Sequence, residues 1–370
     1  MVSCQTIIDI IEKLAPKRLA LEWDNPGLMI GDFAKRIDKI MVTLTLEEQA
    51  LDYAVKNRVD MVITHHPLFF KPVKSLRLDL PLGKLVRKVL QNDITVYSAH
   101  TNLDVAFDGV NDILANILEL KSVRILKKTM EETYRKLVVF VPRNHAVSVR
   151  NAIGNAGGGF IGNYSHCTFS VQGEGAFKPH EGSSPFIGEV GKLETVDEVR
   201  IETIVHESLL KKVISAMLKA HPYEEVAYDI YPLSNEGKTY GMGRIGYLGS
   251  RMKLCNFCNV VKQKLKAKHI RVVGDLTKEI SKVALCGGAG GDLISSAAFS
   301  GADVIVTGDV KYHDAIEAKA AGIAVIDAGH FYTENPIVYS LAALIKSRIL
   351  SLGEKVVVTV YEGKDPFDVI

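Results

Sequence analysis

The sequence predicts an α/β fold in which a mostly parallel sheet with flanking helices is built from two separate parts of the chain, with a ferredoxin-like α+β domain inserted between them. Short apolar strands alternate with amphipathic helices over residues 1–126, a pattern typical of parallel α/β sheets. The alternation returns over residues 236–370. Residues 127–235 instead follow the order β-α-β-β-α-β, which predicts the ferredoxin-like insert.

The length and composition of the chain limit the class of protein to which it can belong. Its 370 residues suffice for two domains, and 47% apolar with 24% charged residues is ordinary for a soluble globular protein. A net charge of +2 gives no indication of nucleic-acid or membrane-surface binding. The first residues lack the basic and apolar regions of a secretory signal, and no apolar run reaches the roughly 18 residues of a membrane span. Five scattered cysteines favour reduced thiols and a cytoplasmic location.

Apolar periodicity places the elements along the chain. Within residues 1–126 and 236–370 it predicts strands at 37–44, 59–63, 94–99, 283–285, 304–307, 323–326 and 356–360. Helices are predicted there at 6–14, 46–56, 82–90, 253–265, 336–350 and from Asp108, as N-cap, to Leu118. In the insert, strands are predicted at 136–141, 168–172, 199–206 and 226–231, helices at 144–155 and 209–220, and an exposed loop at 173–193.

Histidines and carboxylates cluster where the predicted strands end. His65 and His66 follow an apolar strand, and Pro67 bends the chain directly after them. In open α/β sheets, ligands bind outside the carboxyl ends of the strands. If the strands are neighbours in one sheet, eight side chains converge there: His65, His66, His100, Asp104, Asp309, His313, His330 and Glu334. Imidazoles with carboxylates suit first-row divalent ions. The alternative is a set of polar strand ends that simply face solvent.

The spacing of these residues favours two metals. His330 and Glu334 are four residues apart, so a helix starting near His330 would place both on one face. Two histidines at one bend could each serve a different ion, with Glu334 bridging them, as in hydrolytic two-metal sites. His100 and His313 could each be a ligand, an orienting group or a general acid or base.

A glycine-rich turn at Gly287–Gly291 has two interpretations. Its backbone N–H groups could bind a phosphate at a helix N-terminus, or its glycines could permit close packing of helix and strand.

Taken together, these motifs resemble the GTP cyclohydrolase 1 type 2 homologue family, also called Ngg-interacting-factor-3-like. The resemblance is carried by Thr64–Pro67, His100–Asp104, Thr307–Asp309 with His313, and Gly329–Glu334. The insert is similar to the CutA/PII-like domain of the longer bacterial members. The resemblance implies two divalent ions per subunit, zinc first with manganese or iron as alternatives, held by His65, His66, Asp104, His330 and Glu334. It also implies a homohexamer and hydrolysis of the guanine ring of GTP.

Two functions from different classes follow. The preferred one is a metal-dependent hydrolase of a nucleotide or related small molecule, in which His100 or His313 moves protons. The other is a non-catalytic metal-binding or regulatory protein whose insert senses a small molecule. Nucleic-acid binding is disfavoured by the near-neutral charge.

Overall fold

The computed structural model describes residues 1–368 and consists of two compact units. Unit 1 comprises Met1–Met130 and the chain from Tyr240 onward, and unit 2 comprises Glu131–Thr239. The elements of the first part of unit 1 are β1 (Val2–Ser3), α1 (Cys4–Leu14), β2 (Gly27–Ile30), β3 (Arg36–Ile37), β4 (Lys39–Thr43), α2 (Glu48–Lys56), β5 (Met61–Thr64), α3 (Pro81–Gln91), β6 (Thr95–Ser98), α4 (Thr101–Val105), α5 (Val110–Ile117) and β7 (Lys121–Glu131).

Unit 2 is a four-stranded sheet with two helices. Its elements are β8 (Tyr134–Pro142), α6 (Ala146–Asn155), β9 (Thr168–Phe177), β10 (Glu194–His206), α7 (Leu210–Ala220) and β11 (Tyr228–Leu233). The strand order is β11-β8-β10-β9, and every neighbouring pair is antiparallel. Apolar side chains of both helices and the inner strands form its core. Strand β9 runs to Phe177, so the predicted loop at 173–193 begins later than expected, because β9 pairs with β10 along that whole length.

The remaining elements complete unit 1. They are β12 (Thr239–Lys253), α8 (Leu254–Lys264), β13 (Arg271–Val273), β14 (Glu279–Ala289), α9 (Ile294–Phe299), β15 (Val304–Gly308), α10 (Tyr312–Ala320), β16 (Ala324–Asp327), α11 (His330–Glu334), α12 (Pro336–Ser351) and β17 (Val357–Val360). Within residues 1–368, no helix combines the length and apolarity needed to span a membrane.

The larger strands of unit 1 form two mixed sheets rather than one. The five-stranded sheet has the order β17-β4-β5-β6-β2, with β17 to β6 parallel and β2 antiparallel at the edge. The six-stranded sheet has the order β13-β16-β15-β14-β12-β7, with β14, β15 and β16 parallel. The prediction of a single sheet is therefore wrong. Central strands such as β5 are buried on both faces, which explains why their sequences are continuously apolar.

The start of α5 also differs from the prediction. Gly109, not Asp108, is the N-cap residue, and no side chain caps this helix. Asp108 adopts a left-handed conformation (φ 58°), and its backbone N–H donates to Asp112 Oδ2 at 2.8 Å. Asp112 in the first turn therefore accepts the hydrogen bond at this end of the helix, and Asp108 supplies only a backbone donor.

Candidate metal centre

The candidate site of unit 1 lies between the carboxyl ends of strands from both sheets. In the five-stranded sheet, β5 ends just before His65 and His66, and β6 ends two residues before His100. In the six-stranded sheet, β15 ends before Asp309, and β16 ends three residues before His330. Side chains from four distant parts of the chain thus meet between two sheets, and not at the rim of one sheet as predicted.

Glu334 lies at the centre of this cluster. Its Oε2 atom is 2.9 Å from His66 Nε2 and 2.9 Å from His330 Nε2, and its Oε1 atom is 3.7 Å from His65 Nε2. Helix α11 begins at His330, so the four-residue spacing puts both side chains on one face, as predicted. The carboxylate of Glu334, only 4% exposed, therefore connects two sets of histidines.

Asp104 completes the side of the cluster that contains His65. The short helix α4 buries Asp104, and its Oδ1 lies 3.5 Å from His65 Nε2. Three groups of side chains could each hold a metal ion, because within each group the ligand atoms lie within 4.8 Å of one another. The groups are His65, Asp104 and Glu334; His66, His330 and Glu334; and His65, His66 and His100.

All four imidazoles of the cluster are held from outside through Nδ1. His65 Nδ1 donates to the carbonyl oxygen of Ala99 at 2.8 Å, and His330 Nδ1 lies 2.7 Å from Asp309 Oδ2. His66 Nδ1 lies 2.7 Å from the Thr45 hydroxyl, and His100 Nδ1 lies 2.9 Å from Asp24 Oδ1. Partners of this kind fix the tautomer and ring orientation of metal-binding histidines. They leave each Nε2 directed at the cluster.

Asp24 is the residue that sequence analysis missed. Besides His100, it accepts a hydrogen bond from the backbone N–H of Thr101 at 3.0 Å. Burial acts against the charged form, but these hydrogen bonds outweigh it and lower the pKa of Asp24 to about 2. Its position beside Trp23 in a turn-rich segment was the available signal. Trp23 itself is 62% exposed, with its ring centroid 5.9 Å from that of His100.

The pKa values of the histidines and carboxylates in the cluster depend strongly on one another's charges. Burial disfavours the charged imidazole of His65, but the carboxylates of Asp104 and Glu334 outweigh it and raise its pKa to about 9. For His330, hydrogen bonds to Glu334 and Asp309 overcome burial and also raise the pKa to about 9. Burial lowers the pKa of His66. Despite its burial, Glu334 has a pKa well below its usual range because of the surrounding histidines, whereas burial raises the pKa of Asp104 to about 6.

The glycine-rich turn packs directly against Glu334. Gly288 has φ +63°, and a Cβ there would lie 2.0 Å from Glu334 Oε1. The N–H groups of Gly287, Gly288 and Gly290 donate to side chains of Asn111, Thr333 and Thr307. Because these donors are already used, the turn supports the close-packing interpretation and not the phosphate interpretation.

His313 lies outside the cluster. It is exposed in the first turn of α10, and its ring contacts Tyr312 with centroids 5.5 Å apart. It belongs to none of the three groups of converging ligand atoms, so within residues 1–368 it is not brought together with the other strand-end residues as expected. Asp309 does reach the site, but through its contact with His330.

The cluster fits a divalent cation on its own chemistry. His65 Nε2 and Asp104 Oδ1 are buried without a hydrogen-bond partner among residues 1–368. Such atoms are costly unless something satisfies them, and a cation does so for both. The Nε2 atoms of His66 and His330 also lie 3.2 Å apart, so a proton or a metal ion must separate their lone pairs. Imidazole and carboxylate ligands match zinc, manganese and iron.

Comparisons with known proteins agree with the motifs. The model of the family Duf34/NIF3 (NGG1p interacting factor 3) matches residues 2–366. A Bacillus subtilis protein named "GTP cyclohydrolase 1 type 2 homolog" is 49% identical over 330 residues, covering 89% of this chain and 88% of that protein. A Halalkalibacterium halodurans protein of the same name is 48% identical over 326 residues, covering 88% of each. The crystal structure of a Bacillus cereus protein related to NIF3 has a TM-score of 0.85 at 45% identity, covering 100% of this chain and 99% of that one. The resemblance predicted from the motifs is thereby confirmed, and the chain belongs to the Duf34/NIF3 family.

Proposed function

We propose that this protein is a metal-dependent hydrolase with two divalent ions per subunit that acts on GTP, another nucleotide or a related small molecule. The observation that carries the proposal is the position of Glu334 between two sets of ligands. One ion would be held by His65, Asp104 and Glu334, and the other by His66, His330 and Glu334. The printed name of the relatives makes GTP the first substrate to test. Zinc is the first choice of metal, with manganese or iron as alternatives.

The protein's own residues would supply orientation and proton transfer. Two bound divalent ions act as Lewis acids in hydrolysis. The Nδ1–H of His100 donates a hydrogen bond to the ionised Asp24, which leaves Nε2 as the nitrogen available for proton transfer. Its side chain is nearly buried and lies beside both His65 and His66, with ring centroids 5.2 and 5.8 Å away. His100 is therefore the candidate proton carrier.

The test compares metal-loaded and chelated protein against a panel of nucleotides that includes GTP. We expect turnover only with zinc or manganese present and none in Glu334→Ala. His100→Ala should keep its metal but lose most of its rate, since general acid–base catalysis contributes roughly 10²–10⁴-fold. Absence of turnover with every nucleotide, in protein shown to carry two ions, would exclude the nucleotide hydrolase.

The second candidate is a non-catalytic metal-binding or regulatory protein. One observation favours it: unit 2 contributes no residue to any of the metal-binding groups found within residues 1–368. Such a unit is free to bind a small molecule and regulate the protein without taking part in chemistry. This candidate predicts exchangeable metal and ligand binding without turnover, so the same panel separates the two functions.

Architecture and assembly are also proposed. We propose a discontinuous domain of residues 1–126 and 236–370 with a ferredoxin-like domain of residues 127–235 inserted. The β-α-β-β-α-β order of unit 2 and its antiparallel strand order support the second part. From the family resemblance we further propose a cytoplasmic homohexamer. Sedimentation equilibrium of the purified protein tests the hexamer directly, and a dimer or monomer would contradict it.

A further inference from the structure

Unit 2 contains a cavity of about 750 Å³. It is lined by β9 from Val171 to Phe177, by residues 178–180, 183 and 185–187 in the segment that follows, by two side chains of β10, and by residues near Tyr223 that precede β11. This volume is within the range of roughly 300–1,000 Å³ that small-molecule sites occupy. None of the candidate metal ligands lines it. The cavity therefore needs its own explanation, independent of the proposed function.

Three aromatic rings form one wall of the cavity, here called the aromatic wall: Phe177, Phe186 and Tyr223. The ring centroids of Phe177 and Tyr223 are 5.8 Å apart, and those of Phe186 and Tyr223 are 6.3 Å apart. The Tyr223 ring is held in turn by His221, 5.0 Å away, whose Nδ1 accepts the N–H of Tyr223. The faces of aromatic rings carry negative potential and attract cations.

The charged residues of the lining are predominantly acidic. Four glutamates, one lysine, one arginine and one histidine line the cavity: Glu174, Glu198, Glu224, Glu225, Lys178, Arg200 and His180. Arg200 lies 3.0 Å from Glu202, which is outside the lining, so its charge is already compensated. An acidic, aromatic cavity selects against phosphates and carboxylates and favours positively charged ligands.

Glu198 is the carboxylate best placed to bind such a charge. It is half-buried, and no lysine or arginine within residues 1–368 pairs with it. A Cβ at Gly175 would lie 2.2 Å from Glu198 Oε2, so the absence of a side chain there leaves room for the carboxylate. Beside it lies the buried Tyr223 hydroxyl, close enough to Glu198 for that carboxylate to act on it. Burial and the Glu198 carboxylate raise the pKa of Tyr223 to about 12, which keeps it neutral.

We propose that this cavity binds a small organic cation, an ammonium group carried on an apolar body, with the charge held by Glu198 and the aromatic wall. An ammonium ion there gains a charge-assisted contact with Glu198 and cation–π contacts with the rings. The apolar body fills the remaining volume beside Val171, Pro179 and Ile187.

The test is titration calorimetry of the full chain with two probes of different size, choline and benzyltrimethylammonium. The comparison ligand is 3,3-dimethylbutan-1-ol, in which carbon replaces the charged nitrogen of choline. We expect saturable binding of both cations, and about tenfold or more weaker binding of the alcohol. Glu198→Gln should weaken cation binding about tenfold or more, and Phe186→Leu several-fold.

Glu181→Gln is the matched control. Glu181 is exposed, belongs to the same segment after β9 and does not line the cavity, so the variant removes an equal charge elsewhere. It should bind the cations as the unmodified protein does, and thermal melting should show that Glu198→Gln remains folded. Should Glu198→Gln not fold, Phe186→Leu decides the question. The proposal is overturned if neither cation saturates, if the alcohol binds as tightly as choline, or if the cavity variants bind like Glu181→Gln.

Discussion

His330 and Glu334 lie one helical turn apart, and their Nε2 and Oε2 atoms are separated by 2.9 Å. The other oxygen of the same carboxylate faces His65 at 3.7 Å. A single side chain therefore belongs to both proposed ion sites, whereas each histidine of these two sites belongs to only one of them. This asymmetry between the carboxylate and the histidines gives the first prediction.

We expect the metal content of variants to depend on which group is damaged. His65→Ala and His330→Ala should each lose about one ion per subunit, because each removes a ligand from only one of the two proposed ion sites. Glu334→Ala should lose both ions. The measurement is elemental analysis of protein dialysed after metal loading. His313→Ala, a histidine outside the cluster, should keep both ions. Full metal content in Glu334→Ala would show that the ligand assignment is wrong.

Metal binding should release protons in a pH-dependent way. In the metal-free protein His65 and His330 have pKa values raised to about 9, so both are protonated at pH 7. Imidazoles must lose these protons to bind a metal, whereas Glu334, with its lowered pKa, is already ionised. We expect about two protons released per subunit at pH 7 and fewer above about pH 9, so apparent metal binding should tighten from pH 7 to about 9 and then level off.

Calorimetry in two buffers with different ionisation enthalpies measures this release directly. The difference between the two observed heats gives the number of protons transferred to the buffer. His330→Ala should release about one proton fewer at pH 7 when it binds its remaining ion. Heats that do not depend on the buffer would contradict the protonation states assigned to His65 and His330.

The outer partners of the histidines should affect metal affinity without contacting the metal. Asp309 Oδ2 lies 2.7 Å from His330 Nδ1 and fixes which nitrogen faces the cluster. Removing such a partner typically lowers metal affinity about 10–100-fold. Asp309→Asn should therefore weaken binding of one ion to this extent, measured by competition with a chelator. Asp275→Asn, an exposed aspartate remote from these histidines in sequence and contacts, is the control. Equal affinity of both variants would show that Asp309 does not orient His330.

Much of the candidate site was predictable because its signals are local. A buried strand, a bend at Pro67 and a four-residue spacing between His330 and Glu334 are each visible within a few residues. The division into two sheets was not, since it depends on which distant strands pair. Asp24 escaped notice for a similar reason, because its role arises from contact with His100, 76 residues away. The residues that hold the histidines are tertiary partners that no spacing reveals.

Strand β12 was missed because its sequence contradicts strand propensity. Residues 239–253 contain four glycines and a buried arginine, a composition that predicts a turn or loop. Pairing with β14 and β7 compensates for the poor propensity. Arg244 is tolerated at 1% exposure only because the fold surrounds it with acceptors.

Arg244 should be a major contributor to the stability of unit 1. Its guanidinium lies 3.0 Å from Asp112 Oδ2 and donates to the carbonyl oxygens of Ala106, Gly241 and Gly243. Arg244→Met would leave the carboxylate and these carbonyls without their donor, and breaking a buried pair in this way costs about 3–5 kcal/mol. Urea unfolding of chelated protein measures the loss, followed by fluorescence of Trp23, the only tryptophan, which lies in the same unit.

The matched control for Arg244 is Arg251→Met in the same strand. Arg251 is exposed, so its replacement should change the free energy of unfolding by no more than about 0.5 kcal/mol. Asp112→Asn should also destabilise the protein, but less than Arg244→Met, because an amide still accepts one hydrogen bond from the guanidinium. If Arg244→Met destabilises the protein no more than Arg251→Met does, the buried arginine is not what joins α5 to β12.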